Sequence, residues 1–166
     1  MRRAEVGDLR RLQLAELDIL KAFLRICRKR GLRHYLIGGS LLGAVRHRGF
    51  IPWDDDVDIG MPRPEYERFS AVHSRELGRA FFWQTLGTEP CHPVIFGKIR
   101  RHGTRVVEAT SSHLPVHQGI SIDVFPLDGT AGNDYRMIID EEGKVRARTP
   151  RVSKFRHMPF RMDDDD

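Results

Sequence analysis

Apolar positions along this chain fall first into a helical rhythm and later into an alternating one. Between about Leu9 and Arg30, Leu9, Leu12, Leu17, Leu20, Phe23, Leu24 and Cys27 recur at helical spacing, and Gly31 follows a cationic last turn. The stripe reads as core and the arginines as a solvated face. His34 to Ile37 reads as a short buried strand that ends at Gly38-Gly39, after which Ser40 can cap a helix from Leu41 to His47 that Gly49 stops. Val57 to Met61 reads as a second strand. Pro62-Arg63-Pro64 punctuates it, and Pro64 suits the first turn of a helix carrying Tyr66, Phe69, Val72 and Leu77.

Three more strands are expected at Phe81 to Leu86, Val94 to Arg100 and Ile120 to Phe125, with a shorter one at Arg105 to Ala109. The order of elements predicts an α+β, or α/β-like, domain whose mixed sheet carries helices mainly on one face. A chain of 166 residues with 40% apolar content builds one compact domain, and residues 1–130 hold all these elements. In residues 131–166, Tyr135 to Ile139 and Lys144 to Arg148 flank the turn Asp140-Glu141-Glu142-Gly143 as a hairpin. The end of the chain, seven Lys/Arg over residues 144–162 and then four aspartates, is expected to be partly disordered.

Charge changes the picture. The net charge of +5 is uneven: residues 1–50 hold twelve Lys/Arg against four acids, and residues 51–143 hold nine against fifteen. That asymmetry suits an anionic ligand between a basic rim and an acidic centre. Nucleic acid is the rival partner of a basic chain, but no zinc-finger spacing, RNA-binding aromatic signature or basic helix interleaved with aromatics is present. Cys27 and Cys91 lie far apart and form no C-x-x-C pair, which points to a reduced, cytoplasmic setting. His113, His117 and Cys91-His92 fit no standard zinc spacing. No apolar run nears the roughly 18 residues of a spanning helix, while the basic, amphipathic first helix leaves peripheral association with an inner membrane surface open.

The chemistry concentrates in Tyr35 to Met61, YLIGGSLLGAVRHRGFIPWDDDVDIGM, where a strand-Gly-Gly-Ser-helix corner precedes four aspartates in five positions. Such a corner, Gly38, Gly39 and Ser40, offers backbone amides to a phosphate. Asp54, Asp56 and Asp58 are spaced by two, so in extended backbone they project to one side while Val57 and Ile59 point inward. Carboxylates that close repel one another unless a cation sits among them, and an all-oxygen set prefers Mg²⁺ or Mn²⁺. Asp123, an acid inside the apolar strand GISIDVFPLDG, is the candidate third carboxylate; the alternative is an Asp bonded to a neighbouring loop. Asp128 reads as a turn residue.

The segment GGSLLGAVRHRGFIPWDDDVDIGM, followed by Glu65-Tyr66-Glu67-Arg68-Phe69, resembles the LicD and fukutin-related family. Ile95 to Arg100 with Thr104, and then His117 to Gly129, resemble that family's later motifs in order and spacing, so the likeness runs from about Gln13 to Gly129. The resemblance implies a nucleotidyltransferase fold of the DNA polymerase beta type, used to move a phosphorylated alcohol such as phosphocholine from a CDP-linked donor onto a hydroxyl of a glycan or lipid-linked glycan. It places Gly39-Ser40 at the corner, Asp56 and Asp58 as the Asp-x-Asp pair and Asp123 as the third acid, the three being both catalytic and metal ligands with Asp54 as a further candidate. Arg46, Arg48 and Lys98 are candidates to neutralise the donor phosphates, against a plain surface reading of each. Trp53 is either a ring that stacks on the base or head group, or a buried turn aromatic. His47 reads as a helix-end residue near the pocket. Family members usually continue with largely helical structure on the acceptor side where this chain has a short extension. Two other readings stay open: transfer of a nucleoside monophosphate to a small molecule or protein, and a truncated, non-catalytic nucleotide-binding remnant. No obligate protein partner is inferred.

Overall fold

The computed structural model describes residues 6–108, 111–128, 137–139 and 145–147. A long helix α1 (Val6–Arg30) leads to the short strand β1 (Tyr35–Leu36) and then to α2 (Gly38–His47). Strand β2 (Asp58–Pro62) runs directly into α3 (Arg63–Glu76), and β3 (Phe81–Gln84), β4 (Gly97–Arg101) and β5 (Ser121–Leu127) complete a five-stranded mixed sheet in the order β1-β2-β5-β4-β3. β1 pairs antiparallel with β2, β3 with β4, and β4 with β5. This is the mixed α+β architecture expected from the element order.

The chain divides into two units, Met1–Pro126 and Leu127–Asp166. In the second, β6 (Met137–Ile139) and β7 (Val145–Ala147) form the expected hairpin, with Met137 opposite Ala147 and Ile139 opposite Val145. The expected disorder of the tail concerns residues outside those described.

The core lies between the sheet and the helices α1 and α3. Ile19, Phe23 and Ile26 of α1 and Phe69 of α3 pack with Ile59, Met61, Trp83, Ile99, Ile122 and Val124 of the strands. Burying each such side chain contributes about 1.5–3 kcal/mol, so this contact dominates the stability of the unit. Trp83 meets Phe69 edge-on at 5.1 Å, and its indole N–H donates to Ser70 Oγ at 3.0 Å. Strand β5 shows the alternation plainly: Ile122 and Val124 are buried, while Ser121, Asp123 and Phe125 are less so. Truncating Phe23 to Ala would open this core at a cost of about 3–5 kcal/mol.

Four expectations need correcting. The buried line of α1 is Gln13, Glu16, Ile19, Ala22, Phe23, Ile26 and Cys27, turned from the leucine stripe, whose Leu9, Leu12, Leu17, Leu20 and Leu24 are only partly buried. Only the second half of this line meets the apolar sheet; the first half presents polar residues. Ser40 does not cap α2, because the helix begins at Gly38 with Ile37 in the cap position, and no side chain caps it. At the other end the helix ends at His47 as expected, but the left-handed residue that stops it is Arg48, with φ 53°, not Gly49. The segment from Arg105 to Glu108 is not a strand: Val106 N–H donates to the Gln118 carbonyl at 2.7 Å, and no ladder is assigned there among the described residues.

Candidate active site

The corner between β1 and α2 is built by glycines that tolerate close neighbours. Gly38 has φ +55°, in the left-handed region that favours glycine, and a side chain there would put Cβ 3.1 Å from Asp58 Oδ2. A Cβ on Gly39 would stand 2.7 Å from Asp54 Oδ2. Two acids therefore lie against the first turn of α2, whose initial N–H groups have no partner within the helix. Ser40 supplies a different bond from the expected cap: its Oγ accepts the Asp58 N–H at 2.9 Å. Ile37 N–H donates to the Asp58 carbonyl at 3.2 Å, so Asp58 is held to the corner on both sides of its backbone.

Asp123 arrives from the neighbouring strand. Its N–H donates to the Val57 carbonyl at 2.8 Å, which sets it beside the start of β2. Val57 and Ile59 are 3% and 1% exposed, so the alternation that sends them inward turns Asp56 and Asp58 outward as the spacing required. β2 itself begins only at Asp58, and Asp54 stands in a turn where its N–H reaches the Ile51 carbonyl at 3.0 Å.

These acids act on one another electrostatically. Burial, then Asp56, Asp123 and Asp54, push the Asp58 carboxyl up to about 7. Burial, then Asp54, Asp55 and Asp123, raise Asp56 as well. Asp123 is raised by burial, against the pull of Lys98, whose Nζ stands 2.9 Å from Asp123 Oδ1 and 3.1 Å from Oδ2. Among the described residues, no three His, Cys, Asp or Glu side chains are gathered tightly enough to form a ready-made metal cage.

Residues 31–160 match the model of the LicD/FKTN/FKRP nucleotidyltransferase domain. The chain belongs to this family. The match reaches beyond Gly129, so the second unit falls within the family's span for most of its length. The lipopolysaccharide cholinephosphotransferase LicD of Haemophilus influenzae is 46% identical over 77 residues, which cover 46% of this chain and 29% of LicD. The ribitol 5-phosphate transferase FKRP of human and of mouse is 42% identical over 59 residues, 32% of this chain and 12% of FKRP. The chain thus aligns with less than a third of these curated relatives.

The remaining expected residues of this family member are spread more widely. Lys98 is 8% exposed and engaged by Asp123, with Glu108 Oε1 a further 3.5 Å contact. Arg46 and Arg48 are exposed at the far end of α2, about 12 Å along its axis from the glycine corner. Trp53 is 76% exposed, which excludes the buried-aromatic reading, and its ring meets His47 edge-on at 6.4 Å. His117 packs on Phe82 and shares a 3.0 Å contact with His102. Among the described residues, no helix is long and apolar enough to cross a membrane.

Sequence reasoning missed the polar residues that stand behind these acids. Gln13 Nε2 donates to the Asp54 carbonyl at 2.9 Å and makes a longer contact with Ile51 O at 3.4 Å, so α1 holds the acid loop by its backbone. Glu16 is 2% exposed, and burial followed by Asp56, Asp55, Asp123 and Asp54 pushes it up to about 9. Arg100, 3% exposed, binds Gln84 Oε1 at 2.7 Å, the Gly119 carbonyl at 2.8 Å and Glu108 at 3.3 Å, so Glu108 is shared between Lys98 and Arg100. The available signal was periodicity: Gln13 and Glu16 continue the line of Ile19, Phe23 and Ile26 toward the N-terminus.

Proposed function

We propose that this chain transfers a phosphorylated alcohol, phosphocholine-like, from a CDP-linked donor to a hydroxyl of a cell-surface glycan such as lipopolysaccharide or teichoic acid, with Mg²⁺ or Mn²⁺ held by Asp56, Asp58 and Asp123. The observation that carries this reading is the contact of Asp54 and Asp58 with the first turn of α2, with Asp123 on the adjoining strand. A helix start attracts phosphate, yet carboxylates already lie against this one and would repel it. Anionic donor and anionic protein fit the same corner when a cation lies between them. The donor set is all oxygen, which suits Mg²⁺ or Mn²⁺. Mg²⁺ keeps waters and takes substrate phosphates as ligands, so it needs few carboxylates and no closed cage.

When bound, the metal would neutralise charge on the attacking and leaving oxygens. The chain's own residues supply position. The first-turn amides of α2 would take the diphosphate, Ser40 fixes Asp58 through its backbone, and Lys98 balances Asp123. The acceptor oxygen bonds to the phosphorus distal to cytidine, the bond from that phosphorus to CMP breaks, and CMP leaves with the electron pair. The hydroxyl proton passes to a carboxylate, for which Asp123 is the candidate. Arg46 and Arg48 would meet the donor only from the far end of α2. Trp53, exposed beside His47, would contact a base or a cationic head group.

Transfer of a nucleoside monophosphate would use the same acids. The names of the LicD and FKRP relatives, a cholinephosphotransferase and a ribitol phosphate transferase, favour the phosphorylated alcohol. Product analysis with CDP-choline, Mg²⁺ and a glycan acceptor tests the choice. CMP with a phosphocholine-bearing glycan is expected, and a nucleotidylated acceptor overturns it.

A further inference from the structure

Glu16 poses a problem that the catalytic reading leaves unsolved. Its side chain is 2% exposed, and Oε2 has no hydrogen-bond partner. Burying a carboxyl without a partner is costly, and leucine or methionine would pack in a helix at no such cost. The groups that bear on it electrostatically are Asp56, Asp55, Asp123 and Asp54, every one an acid. The ammonium of Lys98 is already engaged by Asp123 and Glu108. Nor is α1 a passing neighbour, because Gln13, one turn earlier, holds the backbone of Asp54. The helix is fastened to the acid loop, and next to that fastening it buries an unsatisfied acceptor.

We propose that Glu16 is a fourth carboxylate of the cation site, accepting hydrogen bonds from water held on a divalent cation bound by Asp56, Asp58 and Asp123. This rests on the metal reading given above. A hard cation that keeps part of its hydration shell presents water protons to its surroundings, and a buried acceptor that feels two of the ligand carboxylates, Asp56 and Asp123, suits them. Lone acceptor and excess charge then have one common solution.

The test is Mn²⁺ affinity by calorimetry on the full chain, with thermal midpoints measured in chelator, for the parent, Glu16→Gln, Glu16→Met and Asp58→Asn. Both Glu16 variants are expected to keep or raise the midpoint in chelator, since a strained acid has gone, and to bind Mn²⁺ about tenfold or more weakly, the usual cost of losing such a partner. Mn²⁺ affinity within twofold of the parent in Glu16→Gln, or in Glu16→Met should the amide fail to fold, overturns the inference while leaving the metal reading intact if Asp58→Asn has lost binding. Weaker binding that merely follows a lowered midpoint in chelator marks a packing residue and also overturns it. A parent that binds no Mn²⁺, or an Asp58→Asn variant that binds it as the parent does, removes the metal reading and this inference together.

Discussion

The two ends of α1 handle charge in opposite ways. At its C-terminal end, Lys29 Nζ meets Glu76 Oε2 at 2.8 Å, Arg30 Nε donates to the same carboxylate at 3.2 Å, and the Glu76 carboxyl is held below its usual range, first by Lys29 and then by Arg30. Some 20 Å back along the axis, Gln13 and Glu16 face acids, and the Glu16 and Asp58 carboxyls are pushed up to about 9 and about 7. One end is a matched lock between α1 and α3. The other concentrates like charge that Lys98 balances only in part, an arrangement that costs stability and persists where a site requires it. The contrast separates what holds this fold from what it holds the fold for.

Asp58→Asn is the hardest blow to that contrast. An amide is nearly isosteric with a carboxyl but a poor ligand for a hard cation, so metal-dependent release of CMP from CDP-choline should fall about a thousandfold or more, several kcal/mol of lost charge stabilisation. Circular dichroism should show the fold unchanged, and the thermal midpoint in chelator should hold or rise. Donor turnover equal to the parent's would refute the metal role of the acid end.

Much of this arrangement was legible in the residues, and what was not has identifiable causes. Alternation fixed the faces of β2 and β5, because Val57, Ile59, Ile122 and Val124 can be buried only if Asp58 and Asp123 turn the other way. The paired glycines marked the corner, yet the reading gave its capping role to Ser40. Gly38 at φ +55° starts the helix three residues earlier and frees the hydroxyl for Asp58. On α1, leucines outnumber isoleucines and drew the stripe toward the partly buried face, while the sheet is met by Ile19 and Ile26. Glu16 was invisible for a related reason: a glutamate in a helix reads as solvated surface until the fold places acids around it.

Acidity offers a second way to divide the two ends. Glu16 and Asp58 sit above their ordinary values of 4.5 and 3.8, so between those values and about 9 and about 7 the folded state holds protons that the unfolded chain has released. Their contribution is therefore fully present below that window and is lost as pH rises through it. Glu76 is depressed, so its contribution is complete above 4.5 and is lost as pH falls below that. Thermal midpoints in chelator should decline from about pH 5 towards pH 9, and saturating Mn²⁺ should flatten that decline by favouring the ionised acids. Asp58→Asn should also flatten it. A decline that persists unchanged in Asp58→Asn and in Mn²⁺ would mean that the acid end does not govern alkaline stability.

Glu76→Gln should have the smallest effect, and its value lies in being small in one measurement and absent in the other. The cations it meets, Lys29 and Arg30, are largely solvated, and exposed pairs lose most of their Coulomb gain to water and salt. The midpoint should drop by at most about 3 °C at low ionic strength, and by less as salt is added. Mn²⁺ affinity and CMP release should stay at the parent's level, since Glu76 lies at the far end of α1 from Glu16. A variant that kept its midpoint but lost Mn²⁺ affinity would join the two ends energetically through α1. The helix would then be a lever between them, and the division between lock and site would fail.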